Sequence, residues 1–221
     1  MTYVGIDVSK ATFVVAYSSA KNSKTKTFKN TTKGVHEFIQ TLSANEHHCV
    51  LEATGNYSSL LVYLLSRANI TVSLENPLKI KNFARVMLSV TKTDETDARL
   101  IALYGERMQP APYKLRSDAI LTLKQKRTVI RQLKKQLIAT QNLKGSMEAL
   151  PFFDPKCKKA IEKTILFLEK QTKGLEEELA ALAQSEYKKQ IDLLTSIKGI
   201  GVTLAAALIL SLIHISEPTR L

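Results

Sequence analysis

Two cysteines in 221 residues, Cys49 and Cys157, sit in dissimilar contexts. They exclude a disulfide framework and imply two unpaired thiols in a reducing compartment. No Cys-x-x-Cys or histidine-rich ligand spacing occurs, so His36, His47 and His48 are expected at the surface. No basic-then-apolar leader opens the chain, and no apolar run reaches the ~18 residues of a membrane span. The greasiest stretch, residues 205–213, is too short. The expectation is a cytoplasmic protein without a membrane partner. A second glycine-rich phosphate loop and an adenosine pocket are also missing. Their absence counts against an actin-like ATPase or sugar kinase, although Gly5-Ile6-Asp7 after a first strand is how such a phosphate loop begins.

Acidic charge is scarce in one segment. Residues 114–173 hold 15 basic and 5 acidic side chains, net +10, out of +12 for the whole chain. A concentrated excess of this kind suits a polyanion, nucleic acid first and anionic membrane second. Lys124, Lys126, Arg127, Arg131, Lys134 and Lys135 lie there on several faces of one helix. Salt-paired helices usually carry both signs, which favours a grip on a nucleic-acid backbone over a merely solvated flank.

The pattern before that segment is that of an α/β domain. YVGIDVSKATFVVAY (residues 3–17) reads as a buried strand, a tight turn and a returning strand, and KTKTFK (residues 24–29) as a lysine-edged third strand. A helix follows Asn30-Thr31-Thr32, then a strand ending at Glu52, a helix over 58–67 and a strand over 70–74. Pro77 begins a helix running toward Val90, and another spans 93–107. Three strands followed by alternating helix and strand imply a mixed sheet with helices on its faces, the order of a ribonuclease H-like core. QPAPY (residues 109–113) closes this domain. Beyond it two helices flank a break at LPFFDP, and Ile161, Ile165, Leu168, Thr172, Leu175, Leu179 and Leu182 form a heptad stripe. An antiparallel hairpin is expected, with a possible dimer contact. In LLTSIKGIGVTLAAALIL, Gly199 and Gly201 could turn backbone amides outward at a helix N-terminus. That is the form of a helix-hairpin-helix, with a simple αα-turn as rival.

Four carboxylates carry the chemistry. Asp7 and Glu52 end strands, and Asp94 and Asp97 lie three apart, on one face if helical. Like charges held together repel and raise each other's pKa unless a cation joins them. Hard oxygen ligands suit Mg²⁺ or Mn²⁺, and two such ions serve phosphodiester chemistry. The bland alternative makes Asp94 a helix N-cap and Asp97 a first-turn acid. Lys10 and Lys92 flank the acids and could meet a scissile phosphate, while Asn56 or Tyr57 could face substrate.

YVGIDVSK, LEATGNY and KTDETDARLIA, in this order, resemble the DEDD-type insertion-sequence transposases related to the pilin-gene invertase Piv (insertion-sequence family one hundred and ten). The basic helices and SIKGIG extend the likeness to about Ser211. The resemblance implies a RuvC-like first domain in which Asp7, Glu52, Asp94 and Asp97 bind divalent metal for DNA strand cleavage and exchange. It also implies a second domain, starting near the GIG turn, that supplies a catalytic serine, and in some members a structured guide RNA. The expected division is 1–113 for the metal domain, 114–190 for a basic helical arm and homo-oligomer contact, and 191–211 for the start of a truncated transposase domain. LIHISEPTRL (residues 212–221) reads as a non-native tail in which no residue, nor Ser211 before it, inherits the serine's role. The rival activities are a metal-dependent nuclease or junction resolvase using the same acids, and a non-catalytic nucleic-acid binder whose acids are only caps.

Overall fold

The computed structural model describes residues 1–20, 23–87 and 93–215. Two compact units divide near residue 115, one over Met1–Leu115 and a second from Arg116 onward.

The first unit is a five-stranded mixed sheet in the order β3-β2-β1-β4-β5. β1 (Thr2–Val8) and β2 (Thr12–Ala16) form the expected antiparallel hairpin, and β3 (Thr25–Lys29) extends it antiparallel. On that edge strand only Phe28 is buried and its lysines face out, which blunts the edge against further pairing. β4 (His47–Glu52) and β5 (Thr71–Glu75) lie parallel to β1. They are reached through α1 (Thr32–Ile39), a single 3-10 turn (Gly55–Ser58) and α2 (Ser59–Arg67). Parallel neighbours need such crossovers because a tight hairpin reverses direction.

Side chains alternate across β1, and each face finds a cover. Val4, Ile6 and Val8 join Phe13, Phe28, Phe38, Leu61 and Leu65 in the main core, all at most 7% exposed. The opposite face is closed by α3 (Pro77–Val86) and α4 (Asp94–Met108), where Val50, Ile80, Ile101 and Tyr104 pack together. Asn76 caps α3 by accepting the Leu78 N–H at 2.8 Å, and Pro77 takes its first position, where a missing N–H costs nothing.

His48 departs from the surface placement expected of it. It is 4% exposed, packs at a tilt against Tyr3 with ring centroids 4.9 Å apart, and its Nε2 lies 2.7 Å from Ser73 Oγ. Ser73 Oγ in turn lies 3.0 and 2.8 Å from the carbonyls of Pro110 and Ala111. Tyr113 N–H donates to the Val72 carbonyl at 2.7 Å. The proline-rich segment is therefore tied along β5. Strand register, which a single sequence does not print, puts His48 opposite that tie.

The second unit is helical. α5 (Asp118–Glu148) and α6 (Pro155–Glu186) pack antiparallel as a hairpin. At ~1.5 Å per residue, 31 residues make α5 about 46 Å long. The heptad stripe of α6 faces inward: Leu168, Thr172 and Leu179 are buried, and Ile161, Ile165, Leu175 and Leu182 are half-buried. α7 (Lys188–Thr195) and α8 (Val202–Ile215) fold onto the base, where Leu123, Ile130, Leu179, Ala183, Ile191, Ala205 and Ile209 form a separate core. The backbone of α8 stays helical past Ser211, into the stretch read as a non-native tail.

Candidate functional site

Three strands with an acid at or next to their last residue are brought level by the sheet register. Ile6 pairs with Leu51, which sets Asp7 beside Glu52, and Glu52 pairs with Glu75. Residues level on parallel neighbours share a face, so Asp7, Glu52 and Glu75 form a row across the C-terminal ends of β1, β4 and β5.

α4 brings the second pair of acids to this row, and small residues decide how closely. Gly5 lies two residues before Asp7 on the same face. A Cβ there would stand 2.0 Å from the Ala98 carbonyl oxygen and 2.3 Å from the Ala102 nitrogen. Seven residues beyond Ala98, a Cβ on Gly105 would lie 2.7 Å from the Tyr3 ring. Ala98, Ala102 and Gly105 thus let the helix backbone press on β1 in the antiparallel sense, with its N-terminus toward the level of Asp7.

That N-terminus is capped without Asp94. Thr93 is the N-cap: its Oγ1 accepts the Thr96 N–H at 3.2 Å, and Thr96 Oγ1 accepts the Thr93 N–H at 2.9 Å. This reciprocal pair satisfies two of the helix's open donors. The reading of Asp94 as the cap is therefore set aside by a threonine on either side of it. Glu95 is exposed, and its pKa is lowered by its own backbone N–H, by Thr93 and by Arg99.

Electrostatics tie the four expected acids together. Asp7, half-buried, is pushed from the ordinary 3.8 up to about 6, first by burial, then by the charges of Asp97, Asp94 and Glu52 in that order, against a Val8 backbone hydrogen bond that lowers it. Asp94 is exposed; Asp97 and Glu52 are half-buried. Four carboxylates offer hard oxygen donors of the kind Mg²⁺ and Mn²⁺ take. Among the described residues, no three Asp, Glu, His or Cys side chains already enclose a point where an ion would sit. The donor chemistry fits a divalent cation, and the carboxylates would have to close on it.

The flanking residues divide. Lys10 is exposed in the β1–β2 turn, and Lys92 lies outside the described residues. Asn56 and Tyr57 are exposed in the turn after Glu52, where Gly55 takes a φ of +71°. Asn30 anchors that turn, its Nδ2 donating to the carbonyls of Ser9 at 3.0 Å and Tyr57 at 2.9 Å.

In the helical unit the basic residues of α5 are more compensated than their sequence context suggests. Lys126 pairs with Glu178 and Lys134 with Glu176, both acids on α6. Their negative partners lie 52 and 42 residues away along the chain, which hides them from a segment count. Lys124 is half-buried. Arg127, Arg131 and Lys135 are exposed and recur every four residues, so they form one stripe along the helix. Between α7 and α8, Gly199 takes a φ of +94°, and a Cβ on Gly199 or Gly201 would meet nothing within 4 Å. The backbone of this turn is open to approach.

Glu75 is the acid that sequence reading passed over. It ends β5 as Glu52 ends β4, each after a leucine, and that repeated Leu-Glu was the available signal.

A family model described as a DEDD-type transposase of the IS110 kind matches residues 4–147, from β1 to the end of α5. The pilin gene-inverting protein of Moraxella bovis is 33% identical to this chain over 144 residues, covering 61% of this chain and 45% of that protein. Its counterpart in Moraxella lacunata shows the same identity and coverage. This chain therefore spans less than half the length of those relatives. The matched segment holds the whole acid-bearing sheet, the helix that closes it and the first basic helix, and on that match the chain belongs to the IS110-family DEDD transposases.

Proposed function

We propose that the first unit is a ribonuclease H-like, RuvC-like strand-cleavage domain of an insertion-sequence recombinase. Asp7, Glu52, Asp94 and Asp97 are its catalytic acids and the ligands of Mg²⁺ or Mn²⁺. The observation that carries this reading is the register that sets Asp7 beside Glu52, with three carboxylates from two elements distant in sequence, β4 and α4, setting their charges on Asp7. A protein with no use for that arrangement would do better with a neutral side chain, since uncompensated like charges destabilise the fold. A divalent cation there would activate the attacking oxygen and stabilise the leaving one in phosphodiester cleavage.

The chain's own residues do the rest. Gly5 and the small face of α4 fix the spacing between the two pairs of acids. Thr93 and Thr96 take over the capping, so the acids are not needed for it. The exposed stripe Arg127, Arg131 and Lys135 grips a phosphate backbone, DNA in the first place, with a structured guide RNA as a further partner. The open Gly199-Ile200-Gly201 turn offers backbone amides to a phosphate. Exposed Ile138, Phe152, Leu166 and Phe167 on the hairpin support a homo-oligomer formed through it.

The test is calorimetric titration of the whole chain with Mn²⁺, then nicking of branched DNA, beside a double variant, Asp7→Ala with Asp97→Ala. Uptake by the unsubstituted chain that the variant loses is the expected result. Equal and negligible uptake by both would overturn the four-carboxylate site. Nicking of branched DNA irrespective of element-end sequence would favour the junction-resolvase reading.

A further inference from the structure

We propose that Glu75 is a positioning residue of the carboxylate site, fixed beside Glu52 so that its charge directs the Glu52 carboxylate toward Asp7. The inference rests on the reading of Asp7, Glu52, Asp94 and Asp97 as one cation site.

Glu75 is 8% exposed, unusual for a glutamate, and has two restraints. Its carboxylate accepts the hydroxyl of Tyr104, a residue itself 4% exposed, and the phenol is raised to about 12, first by burial, then by the charge of Glu75 and by that bond. Tyr104 stands on α4, the helix that also bears Asp94 and Asp97. Long helical side chains lean toward the helix N-terminus, which carries its hydroxyl toward the strand ends. On the other side, Lys79 Nζ lies 3.0 Å from Glu75 Oε2, outside hydrogen-bond geometry, so this buried oxygen has an ion pair without a hydrogen bond.

Glu75 is thus a nearly immobile carboxylate, its charge offset in part by the exposed Lys79 ammonium, one strand from Glu52, whose Cα is its direct register partner. Neighbouring strands are about 4.8 Å apart, and like charges directly opposite repel. Glu52 is half-buried and has β1, with Asp7, on its other side. Repulsion from Glu75 favours the Glu52 rotamers that lean to β1. An ion held between β1 and α4 would find Glu52 already turned to it, at a cost borne by the ion-free protein.

The test uses the full chain with Glu75→Gln, which keeps an acceptor for Tyr104 and removes the charge, and with Glu75→Asp, which keeps the charge. Mn²⁺ is the probe, read by titration calorimetry, with melting in EDTA as the measure of fold. Removing a side chain that orients a metal ligand typically weakens affinity by about 10–100-fold. Glu75→Gln is expected at the low end, about tenfold, with melting in EDTA unchanged or raised, and Glu75→Asp should recover part of the affinity. If Glu75→Gln does not fold, Tyr104→Phe, which leaves the charge but loosens it, should also weaken Mn²⁺ binding. Variants that bind Mn²⁺ as tightly as the unsubstituted chain would overturn the positioning role. An unsubstituted chain that takes up no Mn²⁺ would instead remove the cation site itself, and the role with it.

Discussion

Replacing Asp7 by Asn should make the metal-free protein more stable while abolishing its response to metal. In the folded chain burial and three neighbouring carboxylates hold Asp7 at about 6 rather than 3.8, a little over two pH units. Each unit corresponds to about 1.4 kcal/mol, so the ceiling is about 3 kcal/mol. Asp7 is only half-buried, and solvent screening reduces the expected gain to about 1–2 kcal/mol. The sign follows from proton linkage: between 3.8 and about 6 the folded state holds a proton that the unfolded state has released. The contribution to stability is fully present below 3.8 and is lost as the pH rises through about 6. Urea unfolding in EDTA, followed at pH 4, 5, 6 and 7.5 through the sheet unit, should show this decline in the unsubstituted chain. The Asn variant should lack it. At pH 7.5 the variant should melt several degrees higher, about 5–10 °C for a unit of this size. Added Mn²⁺ should raise the melting point of the unsubstituted chain only. An Asn variant no more stable than its parent in EDTA, with the same pH slope, would refute the electrostatic argument.

Two further expectations concern the residues that place the acids and the ones that hold the polymer. Gly5→Ala drives a Cβ into the backbone of α4, 2.0 Å from the Ala98 carbonyl. It should cost about 3 kcal/mol or more by overpacking, speed hydrogen exchange in β1 and α4, and lose Mn²⁺ binding together with it. Normal exchange and normal binding in that variant would mean the close approach is not needed. Changing Arg127, Arg131 and Lys135 together to Gln should lower the slope of log affinity for duplex DNA against log salt by about 2–3, at about 0.9 per phosphate contact. Lys126→Gln and Lys134→Gln should change it less, because those charges already face Glu178 and Glu176. An unchanged slope in the triple variant would take the stripe out of the interface.

What the sequence makes legible is what repeats locally. Alternation in β1, the helix starts at Thr31 and Pro77, and the heptad stripe of α6 are short-range patterns, and the elements they announce are present. The mixed sheet follows from their order, because three strands and then alternating helices leave few ways to pair. The acids at 7, 52, 94 and 97 could be picked out as charges at element ends, where a packed core gives them no reason to be. The residues that went unread depend on distant partners. Glu75 gains its meaning from the register that sets it against Glu52, and His48 from Ser73 twenty-five residues on. The same holds for Lys126, a free cation on a helical wheel and an ion pair in the folded hairpin. Gly5 shows the limit most clearly. In the sequence it is the small residue of a strand, and even the phosphate-loop reading placed it on the wrong chemistry. In the fold it is the contact that admits α4, so its lack of a side chain sets how closely two pairs of negative charge are held.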